Sequence, residues 1–188
     1  MPNNFLFDLL GPFYDHVIAP KEPNAFHQPL KLPSSGWLLD AGGGTGRASA
    51  GLNHLVDYLV ICDLSEPMLR EAHAKGIQNL VQASATHLPF AGETFDRIMV
   101  IDALHHMPDQ KNTIGELMRT LKTNGRLLVE EPDIQLLGVK MIALFEKLAL
   151  MKSTFHTPKQ IKDMTEEFGA QTEIGRDGKG SAWIMADK

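Results

Sequence analysis

From residue 37 onward the apolar positions switch repeatedly between two spacings, and the switching predicts the architecture. Short β-branched or leucine-rich runs at 37–40, 58–62, 80–83, 97–101 and 126–130 read as strands. Between them, apolar residues return every three or four positions: Ala48, Leu52, Leu55 and Val56 after the first run, and Ile114, Leu117, Met118 and Leu121 before the last. That spacing gathers them on one face of a helix. Strands alternating with such helices predict stacked βαβ units and a mainly parallel α/β sheet. Local punctuation agrees. Ser65 can cap the helix after the second run, Pro67 is tolerated in its first turn, and Gly76 can end it. The helix after Pro108 is expected to run to the Asn124–Gly125 turn.

Both ends of the chain differ from this middle. Phe5, Leu6, Phe7, Leu9, Leu10, Phe13 and Tyr14 make an apolar opening, after which Pro20, Pro23, Pro29 and Pro33 deny a long helix. Residues 1–36 are therefore expected to form an arm or cap, and 37–188 the domain proper. The stretch 134–151 is strongly apolar, yet Lys140, Glu146 and Lys147 interrupt it, which predicts a buried helix and no membrane span. Thr157, Pro158 and Gln160 form a capping-box start for a last helix ending near Gly169. Segments 170–174 and 183–186 then read as a closing antiparallel hairpin, joined through the glycine-rich 175–180.

Composition limits what this frame can carry. With 188 residues, 43% of them hydrophobic and 22% charged, the chain suits one domain with a sizeable core. A formal net charge of −5 disfavours a nucleic-acid partner and favours a small-molecule one. The single cysteine, Cys62, allows no intrachain disulfide or thiolate metal cluster and fits a reducing compartment. The start at Met1, Pro2, Asn3 and Asn4 lacks the basic, small-residue pattern of a signal peptide, so a cytoplasmic protein is expected. Monomer and homodimer both stay open.

Candidate chemistry begins at 37–47, WLLDAGGGTGR, where an apolar run ends in Asp40 and opens into Gly42, Gly43, Gly44 and Gly46. Such a strand, glycine turn and helix start can bring backbone N–H groups close to a nucleotide-like ligand. A dinucleotide fingerprint needs GxGxxG, whereas the spacing here is GxGxG and Arg47 occupies the sixth position. Asp63 ends the next strand, where an acidic side chain can accept both hydroxyls of a ribose. Asp102, Ala103, Leu104, His105 and His106 follow the fourth strand, at the sheet end where open α/β folds bind ligands.

Four ordered segments then resemble a family: LLDAGGGTGR from Leu38, CDLSEPML from Cys62, ATHLPFAGETFDRIMVIDALHHM from Ala85 and LKTNGRLLVEEP from Leu121. Together they are similar to the class I S-adenosylmethionine-dependent methyltransferases, in the small-molecule branch that includes the ubiquinone/menaquinone-type enzymes. Phe13, Tyr14 and Asp15 also look similar to the start of the quinone-related members. The resemblance implies a Rossmann-like, doubly wound, mostly parallel seven-stranded sheet with a C-terminal antiparallel hairpin in a single domain. It implies S-adenosylmethionine as cofactor and S-adenosylhomocysteine as product. Asp40 and the backbone at Gly42 and Gly44 would hold the methionine part, and Asp63 the ribose. Leu64 and Met68 would flank the adenine, Ser84 and Ala85 would meet its edge, and Asp102, Ala103 and Leu104 would lie beside the methionine end. Ser84 stands where the family often carries an acidic residue, so its hydroxyl offers the adenine an uncharged bond.

A sulfonium methyl is already activated, so the protein has mainly to align the nucleophile and exclude water, without a metal. Where a base helps, His105 and His106 are the catalytic candidates, with His156 and Glu130 beside them. Tyr14, Glu130 and His156 are candidate substrate contacts. The apolar 134–151 helix would wall the acceptor pocket, which favours a small apolar or aromatic acceptor. Glu130 and Glu131 otherwise read as solvated or lysine-paired residues at a strand end. Two other functions share such a sheet: a non-catalytic S-adenosylmethionine-binding regulatory or partner protein, and an NAD(P)-dependent oxidoreductase. The GxGxG spacing and the absence of an evident Tyr-x-x-x-Lys pair disfavour the oxidoreductase.

Overall fold

The computed structural model describes residues 21–136, 139–140, 153–176, 178 and 180–188. The arm residues 1–20, Tyr14 among them, and most of the 134–151 segment lie outside the described residues. Seven strands form one sheet: β1 (Trp37–Ala41), β2 (Tyr58–Asp63), β3 (Asn79–Gln82), β4 (Phe95–Ile101), β5 (Leu121–Pro132), β6 (Gln171–Arg176) and β7 (Ser181–Asp187). Their order is β3-β2-β1-β4-β5-β7-β6. β1 to β5 pair in parallel, and β7 runs antiparallel to both β5 and β6. The described helices are α1 (Glu66–Ala74), α2 (Gln110–Thr120) and α3 (Pro158–Glu166). This is the doubly wound, mostly parallel α/β sheet with a closing hairpin that the sequence predicts. No helix among the described residues is long and apolar enough to cross a membrane.

Unbroken apolar runs become strands here because both sheet faces are covered. Leu39 and Ala41 of β1 join Val60, Ile98 and Val100 under Ile114, Leu117 and Met118 of α2 and Ile161 of α3. Leu38 points to the opposite face, with Leu59, Ile61 and Met99, under Leu69 and Ala72 of α1. The helix starts follow the local sequence: the Ser65 hydroxyl accepts the Met68 N–H, and Thr157 with Gln160 closes a full capping box.

Two expectations are corrected by long-range packing. The segment after the glycine turn is a short 3-10 stretch, Ala50–Leu55, in place of an amphipathic α-helix. A Cβ at Gly51 would lie 2.4 Å from Pro23 Cγ, so the chain before β1 presses directly on this stretch. α2 ends at Thr120, before the Asn124–Gly125 pair. That pair is an irregularity inside β5, with Asn124 at φ 64, where the β4 register jumps between Phe95 and Arg97. The backbone of Lys188 holds it, accepting the Asn124 N–H at 2.9 Å and donating to Gly125 O at 3.1 Å.

Residues 21–36 belong to the core in packing terms. Phe26 and Leu30 are fully buried in the cluster that contains Leu38 and Leu52. Arg97 Nε donates to Leu30 O at 2.7 Å and Arg126 Nε to Pro29 O at 2.5 Å, which fixes the segment beneath the sheet. Phe26→Ala is expected to lower unfolding free energy by about 3–5 kcal/mol, read from the urea midpoint. A loss below about 1 kcal/mol would show that this segment does not brace the sheet.

Candidate active site

β1 pairs with β2 on one side and β4 on the other. From β1 the chain moves outward through β2 to β3, and from β4 it moves the other way to β5. Connections therefore part above the β1–β4 seam and leave a crevice at the strands' carboxyl ends. The glycine turn crosses this crevice. Gly42, Gly44 and Gly46 have φ of 73°, 53° and 71°, a region in which other residues are strained. Their N–H groups are committed to holding the turn: Gly42 donates to Cys62 O at 2.7 Å, Gly44 to Asp63 Oδ2 at 2.9 Å and Gly46 to Gly43 O at 2.9 Å. The expected helix start with open donors is thus replaced by a cradle whose defining property is missing side chains. A Cβ at Gly42 would stand 3.0 Å from Ala103 Cβ and 3.1 Å from Met107 Cε, and one at Gly43 2.6 Å from Asp40 Cγ.

The other strand exits complete the pocket. Asp63, ending β2, is held on both carboxylate oxygens, Oδ2 by Gly44 and Oδ1 by the Ser65 N–H at 2.8 Å. Leu64 and Met68 line the wall beside it. After β3 come Ala83, Ser84, Ala85 and Thr86. The Ser84 hydroxyl already shares a 2.7 Å hydrogen bond with Thr86 Oγ1 and accepts the Thr86 N–H at 3.3 Å. β4 opens into Asp102 at φ 51, then Ala103, His106, Met107 and Pro108. Asp40, Gly42, Gly44, Asp63, Leu64, Met68, Ser84, Ala85, Asp102 and Ala103 all line this one pocket.

Two of its carboxylates, the buried Asp40 and the half-buried Asp102, are treated oppositely. Asp40 is buried, and its Oδ2 has no hydrogen-bond partner among the described residues. Burial pushes its carboxyl up to about 6, with the Ser49 hydroxyl and Arg47 guanidinium opposing and the Asp63 charge assisting. Asp102 instead meets Lys21 Nζ at 2.9 Å and an Arg47 guanidinium nitrogen at 2.6 Å. Burial alone would raise it, but these two cations hold it below the usual carboxylate range. Lys21 also donates to Glu130 Oε1 at 2.6 Å. Burial would lower the Lys21 amine, and the two acids more than reverse this.

His106 and His105, adjacent in sequence, face different surroundings. His106 lines the pocket and shares a 3.0 Å hydrogen bond between Nδ1 and Ser153 Oγ. Burial, with the neighbouring His105, pushes it down to about 3, so its ring is neutral at physiological pH. His105 does not line the pocket; it stacks on Phe155 and donates from Nδ1 to Glu131 Oε2 at 2.5 Å. Glu130 is buried beneath Lys21, and His156 Nδ1 lies 2.8 Å from Gln110 Oε1, both outside the pocket lining. Of the two acids expected to be solvated or lysine-paired, Glu130 is lysine-paired, through Lys21, whereas Glu131 is neither, being buried and bonded to the Leu104 N–H and the His105 ring. Lys21 and the anchoring role of Glu131 escaped the sequence, although β5 burial continuous through Glu131 follows from its apolar run.

Residues 39–129 match the methyltransferase domain family. That match makes residues 39–129 a methyltransferase domain of the class I, S-adenosylmethionine-dependent type. It is 38% identical over 104 residues to the ubiquinone/menaquinone biosynthesis C-methyltransferase of Haemophilus ducreyi, covering 50% of this chain and 40% of that enzyme. It is 32% identical over 140 residues to the tRNA (carboxymethyluridine(34)-5-O)-methyltransferase of Arabidopsis thaliana, covering 70% of this chain and 34% of that one. The chain thus spans less than half the length of these curated relatives. In fold it superposes on an S-adenosylmethionine-dependent methyltransferase of Thermotoga maritima with a TM-score of 0.76 at 19% identity, covering 98% of this chain and 99% of that one.

The pocket fits the family's cofactor on its own chemistry. An unpartnered buried carboxylate oxygen at Asp40 suits a cationic ligand, and the side-chain-free cradle leaves room for one. The Asp40 carboxyl is raised from 3.8 in the open chain to about 6. Its contribution to stability is therefore fully present below about pH 3.8 and is lost as pH rises through about 6. Asp40→Asn, uncharged throughout, is expected to match the ligand-free wild type near pH 4 and to exceed its stability by about 3 kcal/mol near pH 7.5. Denaturant unfolding at both pH values checks this; a parallel pH dependence in the two proteins would overturn it.

Proposed function

We propose that this chain transfers the methyl group of S-adenosylmethionine to a small acceptor of apolar or aromatic character. The observation that carries this is the convergence of four separate strand exits, those of β1, β2, β3 and β4, on one pocket. The bound cofactor would supply a methyl group activated by its sulfonium. Asp40 would face its positive charge and Asp63 its ribose. Two backbone donors fix the Asp63 carboxylate, which has about four acceptor positions in all, in the pocket wall. Leu64 and Met68 would flank the adenine, with Ser84 and Ala85 at its edge.

On the acceptor side, Ile101, Ala103, Met107 and Pro108 give the pocket an apolar wall. His106 would serve there as a neutral hydrogen-bonding group. A ring that protonates only near 3 is a poor proton sink, which favours acceptors whose nucleophilic atom ionises readily or already carries a free lone pair. In this reading residues 1–36 are the arm or cap, of which 21–36 also brace the sheet, and 37–188 are the cofactor-binding domain. Lys21 supports this by reaching from the cap to Asp102 at the pocket wall. The relative acting on tRNA makes a nucleoside the competing acceptor, and the net charge of −5 favours the small molecule.

Calorimetric titration with S-adenosylhomocysteine is expected to show binding, and Asp63→Ala to weaken it about a hundredfold through two lost charge-assisted hydrogen bonds. Absence of binding to the wild type would overturn the proposal, and unchanged affinity in Asp63→Ala would overturn the ribose role. Labelled methyl transfer should then appear with hydroxylated aromatic acceptors and not with tRNA.

A further inference from the structure

We propose that Glu131 is a positioning residue for the pocket, holding the 102–106 wall in the shape that receives the methionine end of the cofactor. This rests on the cofactor reading above. β4 and β5 run in parallel, with Ile101 beside Glu130. The Asp102 N–H donates to Glu130 O at 2.9 Å, and the chain then leaves the sheet through the left-handed φ of 51° at Asp102. Beyond that bend the next two backbone donors point back at one carboxylate oxygen: Glu131 Oε1 accepts Ala103 N–H at 3.1 Å and Leu104 N–H at 2.7 Å. Its other oxygen takes His105 Nδ1 at 2.5 Å. One buried side chain thus satisfies three consecutive residues.

Strained backbone persists only where its surroundings over-determine it, and Glu131 supplies that determination. Precision matters at this wall because Ala103 Cβ lies only 3.0 Å from where a Cβ on Gly42 would be. An inward shift of a few tenths of an ångström narrows the cradle opposite. Glu131 does not itself line the pocket, so its influence passes through Ala103 and Asp102.

Two variants separate reach from charge. Glu131→Gln keeps the oxygen that receives both N–H groups and loses the charge, with His105 able to change tautomer. Glu131→Asp keeps the charge and withdraws it by about 1.5 Å. The expected result in calorimetry with S-adenosylhomocysteine is affinity within about twofold of wild type for Glu131→Gln and about tenfold weaker for Glu131→Asp. Hydrogen exchange by mass spectrometry on the ligand-free protein should accelerate over 102–106 in Glu131→Asp and stay unchanged over β1 and β2. The reverse order of affinities would mean that the charge acts directly, and wild-type affinity with unchanged exchange in both variants would remove the role; either overturns the proposal. Failure of the wild type to bind would instead overturn the cofactor reading, while exchange over 102–106 would still decide whether Glu131 holds the wall.

Discussion

Hydrogen bonding of β1 to both β2 and β4 is the constraint from which the site follows. Two neighbours whose chains depart in opposite directions cannot both send their connections over the seam, so the seam stays open above Ala41 and Ile101. The chain leaving β1 must then pass within contact of the chain leaving β4. Gly42 is required by that passage, with Ala103 and Met107 pressed against the place its side chain would take, and Gly43 by the Asp40 carboxyl beneath it. The glycines are consequences of the topology as much as of any ligand. Their use as a cradle comes from the space that this crossing leaves behind.

In the proposed reading, charge gives the cradle its selectivity. Asp102 has two protein cations within 2.9 Å and is electrostatically complete. Asp40 has an unpartnered oxygen and a carboxyl pushed up to about 6 by burial. Burying an anion without a partner is costly, and a ligand cation that lowers the cost gains that free energy as affinity. The pairing of Asp102 by Lys21 and Arg47 therefore leaves Asp40, rather than Asp102, to attract positive charge.

Most of the sheet was legible because buried parallel strands are written as local apolar runs, and the caps at Ser65 and Thr157 because they act within three residues. The residues that line the pocket were legible for the same reason, most of them lying at or just beyond a strand end. What the sequence hid was set by distant partners. Gly51 looks like a tolerated helix residue until Pro23 is placed against it, and Asn124 with Gly125 looks like a turn until Lys188 pairs with them inside a strand. Lys21 and Glu130 stand 109 residues apart, and no spacing rule links them. Glu131 reads as solvated or lysine-paired because a charge at a strand end usually is; here the neighbouring strand's exit folds over it and supplies the donors that justify its burial.

His105 and His106 carry this logic to the reacting end. Adjacent residues on a short 3-10 turn face different ways, so one ring goes behind the wall to Glu131 and the other into the pocket. The first ring's burial helps set the second's chemistry, since proximity to His105 adds to desolvation in keeping His106 neutral. A neutral imidazole adds no positive charge to repel a cationic cofactor, whereas a protonated one would oppose the attraction that Asp40 provides. In the proposed reading, proton uptake is thereby given up in favour of cofactor binding. An acceptor that needs little help in losing its proton fits that compromise, and the apolar residues around His106 suit a molecule with a hydrophobic body and one ionisable or lone-pair-bearing atom.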